Sequence, residues 1–191
     1  MIARSVAQGL LVTFAALAAL PVTAAETFDI GLATSGARID AVAVAARSST
    51  APTVVLVGGL HGEDGSAAAV RAAVADYERR GKRAVNLLAI PLANPDGAAP
   101  AFPPQGVAYR EHAESHVLWR WLGAQAPDLV LVAGEGDSGL LAALNSQPVA
   151  DMGRIPARHW SGKLTDLSVL HGNVEKSEAR VELERDRKSV V

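Results

Sequence analysis

Val54-Val55-Leu56-Val57-Gly58-Gly59-Leu60-His61-Gly62-Glu63-Asp64 is the stretch whose reading decides the fold. Four apolar residues in a row predict a strand buried on both faces, as at the centre of a parallel sheet. Two glycines then let the backbone turn tightly, and His61 arrives at the strand's carboxyl end with two carboxylates behind it. In open α/β sheets that edge is where ligands and metals collect. A neutral imidazole and a carboxylate three residues apart, His61 and Asp64, can reach one divalent cation, and zinc accepts both ligand types. The same residues have a second reading. Asp64-Gly65-Ser66 precedes an Ala-rich segment, so Asp64 or Ser66 can serve as its N-cap, with His61 hydrogen-bonded at a strand end.

Outward from this stretch the pattern alternates. Phe28 to Leu32 and Ile39 to Val44 predict two strands around the turn Thr34-Ser35-Gly36-Ala37. Ala67 to Arg80 predicts a helix that ends in Arg79-Arg80-Gly81, with basic residues and a glycine where a helix terminates. Val85 to Ile90 predicts another buried strand, broken by Pro91 and then by Asn94-Pro95-Asp96-Gly97. A Pro-rich loop, Pro100 to Gly106, leads to a helix over Glu114 to Gln125 with Val117, Leu118, Trp121 and Leu122 at core spacing. Pro127-Asp128 breaks that helix, and Leu129 to Ala133 is a further apolar strand. Strands alternating with helices predict a single-domain α/β protein: three layers, α/β/α, around a mixed, largely parallel sheet.

Composition bounds the function. The 191 residues contain no cysteine, which excludes disulfides, thiolate zinc sites and a cysteine nucleophile. Arg4, the apolar run from Gly9 to Leu20 and the small residues of Pro21-Val22-Thr23-Ala24-Ala25 predict a signal peptide over residues 1–25. The apolar core is too short for a membrane span. Cleavage is expected after Ala24 or Ala25, leaving one domain over 26–191 in the periplasm or outside the cell. Lys+Arg number 18 against 20 Asp+Glu, and no basic patch or Arg-Gly run suggests nucleic acid. Apolar content of 49% suffices for a core, and 4% aromatics leave Ala, Val and Leu to fill it.

The order of a strand ending in His-Gly-x-x, a strand ending in Asn-Pro-Asp-Gly, a Trp-bearing helix and Pro127-Asp128-Leu129-Val130-Leu131 resembles the zinc carboxypeptidase family, with its amidase and deacylase branches. The segment Ile30 to Ile39 is similar to that family's first hairpin, and the resemblance runs roughly from Ile30 to Gly136. It implies a carboxypeptidase-like fold and one Zn2+ held by a His-x-x-Glu pair and a distant histidine. His61 matches the first ligand, and Asp64, one methylene shorter than Glu, matches the second. Gly134 stands where the third is expected, so a complete site needs Glu135, Asp137 or an out-of-register histidine. Catalytic zinc ordinarily has three protein ligands and water.

The resemblance also implies a glutamate base late in the chain. Glu182, within the alternating Ala179-Arg180-Val181-Glu182-Leu183-Glu184, matches it, and the same alternation also reads as the solvated face of an edge strand. The family places a helix after that strand, whereas Arg185 to Val191 is all that follows here, so a clipped or divergent C-terminus is expected. Arg110, beside Tyr109, matches an arginine that grips a substrate carboxylate, with Asn94 on the neighbouring turn as a second substrate contact. Arg110 can equally pair with Glu111 or Glu114. His112 and His116 stand at i and i+4, whereas His159 and His171 read as loop residues without a motif. Two functions follow: an exported zinc hydrolase of peptide or amide bonds acting on peptidoglycan-derived peptides, or a metal-free descendant that binds a peptide or glycan.

Overall fold

Strand β3 (Thr53–Val57) forms where the apolar run predicts it, and Val54 to Val57 are wholly buried. In the computed structural model, which describes residues 24–108, 110–134, 139–150, 153–160 and 162, this strand lies inside a six-stranded mixed sheet. The hairpin β1 (Glu26–Leu32) and β2 (Arg38–Val44) is antiparallel, and β2 runs antiparallel to β4 (Asn86–Ile90). From there the sheet is parallel: β4 pairs with β3, β3 with β5 (Leu129–Ala133), and β5 with β6 (Ala157–Trp160). The spatial order is β1-β2-β4-β3-β5-β6.

Two-sided burial of β3 requires a helical layer on each face. Val54 and Leu56 pack with Val70, Ala73, Val74 and Tyr77 of α1 (Gly65–Arg79). Val55 and Val57 point the other way, into a cluster with Val117, Leu118 and Leu122 of α2 (Ala113–Gln125) and Leu140 and Leu144 of α3 (Leu140–Ser146). The α/β/α expectation therefore holds, and small aliphatic residues do fill the core. The chain passes from β3 to β4 through α1 and from β4 to β5 through α2, on opposite faces. The carboxyl end of β3 is thus the point where the strand order reverses, the place at which open sheets open a crevice.

Pro127-Asp128, part of the resemblance, has a structural task here. Asp128 Oδ2 accepts the Thr53 N–H at 2.7 Å, pinning the start of β5 to the start of β3. The sequence pattern does not reveal α3 or β6. The first has 7 residues, and the second, Ala157-Arg158-His159-Trp160, has two exposed polar residues at its centre. Its extended conformation comes from pairing with the buried β5. Residues 1–23, which carry the signal reading, and His171 lie outside the described residues. Among the described residues no helix is long and apolar enough to cross a membrane.

Tyr77 closes α1 onto the sheet with one hydroxyl. It donates to Val85 O at 2.9 Å and accepts from Val85 N at 3.0 Å, out of reach of solvent. Tyr77→Phe leaves both backbone groups without that partner. It is expected to cost about 1–3 kcal/mol in chemical denaturation, with no change of fold by circular dichroism.

Candidate functional site

The loop that carries His61 is held from below. Gly59 has φ +60°, and a β-carbon there would lie 2.8 Å from Leu92 Cα and from Pro91 O, so only glycine fits. Asn94 brackets the same loop. Its N–H donates to Gly59 O at 2.9 Å, and its amide nitrogen donates to Leu60 O at 2.8 Å and Ala98 O at 2.6 Å. Its Oδ1 accepts the Gly97 N–H at 3.1 Å, and the residue is 3% exposed. Each of its polar atoms is engaged with backbone groups of this loop or the next turn, so Asn94 positions the His61 loop. His61 itself is exposed at the end of the loop.

Asp64 caps α1. Its Oδ1 accepts from Ser66 N at 2.8 Å, from Ala67 N at 3.2 Å and from Ser66 Oγ, while Ser66 Oγ accepts the Gly59 N–H at 2.8 Å. Cap, loop and helix thus form one hydrogen-bonded unit. Desolvation alone would raise the Asp64 carboxyl, but the bonds from Ser66 Oγ and the Ala67 and Ser66 amides, with His61 nearby, hold it below its ordinary value. Glu63, by contrast, turns to the helix exterior, where a two-pronged pair with Arg71 lowers its carboxyl, against a small desolvation and the repulsion of Asp64.

Gly134, at the position expected to be a third ligand, has φ +109°. A β-carbon placed there would be strained by the backbone and would stand 3.3 Å from Ser66 Cβ. A histidine at this position therefore requires both the backbone and Ser66 to move. Among the described residues no three His, Asp or Glu side chains converge to hold a metal ion. The two residues that the resemblance matches to ligands, His61 and Asp64, fall short of the three that catalytic zinc takes, so the described donors alone do not fit that centre. Glu135, Asp137, Tyr109 and Glu182 lie outside the described residues.

The other sequence candidates are dispersed. Arg110 is exposed, and its N–H donates to Val107 O at 3.1 Å. Glu114 is buried and accepts Thr34 N at 3.1 Å, while Asp96 accepts from Ser35 N and Ser35 Oγ, which lower its carboxyl. His112 takes the α2 N-cap position with φ +48°, outside the helix, while His116 Nε2 lies 3.1 Å from Gln105 O. The two histidines are not set as a pair along one helix.

Sequence reasoning missed the far wall of the site. In β6, His159 stands opposite Val132, and Trp160 stands opposite Ala133, so His159 is a strand residue and not a loop residue. His159 and Trp160, with Asp64, Ser66 and Gly134, line a cavity of about 440 Å3 between the carboxyl ends of β5 and β6 and the first turn of α1. Nothing in the local pattern around His159 signals this, because its neighbours across the cavity, from Gly134 to Asp64, stand 25 to 95 residues away in the chain.

No family model and no curated protein matches the chain. Solved structures similar to it include a metallo-carboxypeptidase from Burkholderia cenocepacia, at 18% identity and TM-score 0.49, covering 62% of this chain and 38% of that one. A metallo-carboxypeptidase from Pseudomonas aeruginosa is similar at 17% identity and TM-score 0.47, covering 60% and 36%. An aspartoacylase family protein from Mesorhizobium loti is similar at 14% identity and TM-score 0.45, covering 60% and 42%. The chain thus spans well under half the length of each of these structures.

Two substitutions separate cap from charge. Asp64→Ala is expected to cost about 0.5–2 kcal/mol in urea denaturation, and Asp64→Asn, which caps as well, much less. Because the folded carboxyl lies below its unfolded value of about 3.9, the Asp64 contribution is present above that pH and fades as pH falls through the lower folded value. Asp64→Asn removes that part of the acid sensitivity. Gly134→Ala is expected to destabilise by about 1–3 kcal/mol in the same assay, from backbone strain.

Proposed function

We propose that this chain is an exported binding protein on a hydrolase-type α/β scaffold, taking a peptide at the carboxyl ends of β3, β5 and β6 without a complete zinc centre. The observation that carries this reading is Gly134. The position that the sequence resemblance assigns to a metal-binding histidine has a backbone that disfavours any side chain and closes on Ser66. Asp64 points the same way, since one carboxylate oxygen is consumed by the α1 cap. The signal reading of residues 1–25 supports export, and in a periplasm the peptides at hand include those of the cell wall.

One observation favours the alternative, a zinc hydrolase of peptide or amide bonds with Glu135 as third ligand. His61 is exposed on the loop that ends at Asp64, and no described hydrogen bond reaches Asp64 Oδ2. Metal analysis separates the two readings. Protein purified without a histidine tag and equilibrated with zinc, then desalted, is expected to retain far less than one zinc per chain. Near-stoichiometric zinc that disappears in His61→Ala would establish the hydrolase reading instead.

A further inference from the structure

The edge of the sheet opposite the candidate site gathers positive charge. The strand register lines up Glu26, Val44, Thr53 and Asn86 along that edge, and α1 ends there. Arg79-Arg80-Gly81-Lys82-Arg83 puts four cations into five residues. Arg47 joins them from the loop between β2 and β3, where its N–H donates to Arg83 O at 3.3 Å. Of the carboxylates at this edge, Asp76 is held by Arg79 and Arg80, Glu78 by the Ala25 N–H and Asp128 by the Thr53 N–H. Glu26 stands exposed at the start of β1. Arg47 and Lys82 are exposed, and no described ion pair involves either. Two residues before Arg47, Ala45 is on the wall of a groove of about 310 Å3 that Ala43, Val44, Leu87 and Leu88 also line. A cationic rim beside an apolar groove supplies both parts of the attraction to a lipid surface, charge and apolar contact.

The start of the described chain lies at the same edge. The Ala25 N–H donates to Glu78 Oε1 in the last turn of α1 at 3.0 Å, and Ala25 packs against the core on the α1 side of the sheet. The apolar run from Gly9 to Leu20 ends only a few residues earlier, so whatever bilayer takes that run is brought to the basic edge. We infer that this edge docks on an anionic phospholipid surface, with Arg47, Lys82 and the arginines beside them toward the lipid phosphates. The carboxyl ends of β3, β5 and β6 then face away from the membrane and stay open to ligands from solution. Docking at this edge is independent of whether the opposite one holds zinc.

Co-sedimentation of the full chain with two kinds of vesicle tests it, one of phosphatidylcholine and one with about a quarter phosphatidylglycerol. The anionic vesicles are expected to bind at least about tenfold more tightly near 0.1 M salt, and the preference to fade as salt rises. Arg47→Gln combined with Lys82→Gln is expected to remove most of that preference. Arg38→Gln combined with Arg110→Gln takes the same charge from the opposite edge and is expected to keep it, with circular dichroism checking both folds. Arg4 and the apolar run are common to all three proteins, so their contribution cancels. Because the chain has no cysteine, Ser49→Cys and Gln105→Cys each give one labelling point, the first in the β2–β3 loop and the second at the other edge. A fluorophore at position 49 is expected to be quenched by lipid spin-labelled at its headgroup, and one at position 105 is not. Equal affinity for the two vesicles, equal loss from the two double variants, or quenching at 105 in place of 49 overturns the inference.

Discussion

Burial of β3 on both faces is the constraint on which the rest of the molecule depends. A strand whose residues Val54 to Val57 are all excluded from water must have helices above and below, so the crossovers through α1 and α2 on either side of it cannot share a face. Its neighbours β4 and β5 are then reached in opposite directions, and their loops part at its carboxyl end. That parting needs a backbone able to turn within a crowded space, which is why Gly59 sits with φ +60° against Leu92 and Pro91. Asn94 completes the arrangement by supplying loop carbonyls and amides with partners that the sheet no longer provides.

At this parting point one carboxylate is asked to serve two purposes. Asp64 satisfies the exposed amides at the start of α1, and it also lines the cavity. The capping role fixes one of its oxygens and its rotamer, which leaves a single oxygen for anything bound. Ser66 and Gly134 extend the competition, since the hydroxyl that orients Asp64 lies where a side chain at 134 would stand. Beside it lies a cavity lined by Asp64 and Ser66 on the α1 side and by His159 and Trp160 on the β6 side.

The parts of this fold that were legible are those written in local pattern. The apolar runs of β3 and β5, the core spacing in α2 and the turn residues of Asn94-Pro95-Asp96-Gly97 are short-range signals that burial and backbone preference interpret directly. The Asp64 cap was legible for the same reason, as one of two readings of one local motif. The turn at Asn94 was legible in the same way, whereas its hold on the His61 loop, through Leu60 O and Ala98 O, was not. Strand β6 was illegible: Ala157-Arg158-His159-Trp160 becomes extended because β5 offers it an unpaired edge, a long-range cause with no local trace.

The sequence by itself determined that this is a layered α/β protein with a histidine and a carboxylate delivered to the end of its central strand. Runs of buried residues and the glycines that follow them act through nearest neighbours along the chain. Only the tertiary structure decided what surrounds that point. The positive φ of Gly134, its contact with Ser66 and the arrival of His159 and Trp160 on the opposite wall arise from pairing between segments far apart in sequence, where geometry is set by packing and not by composition.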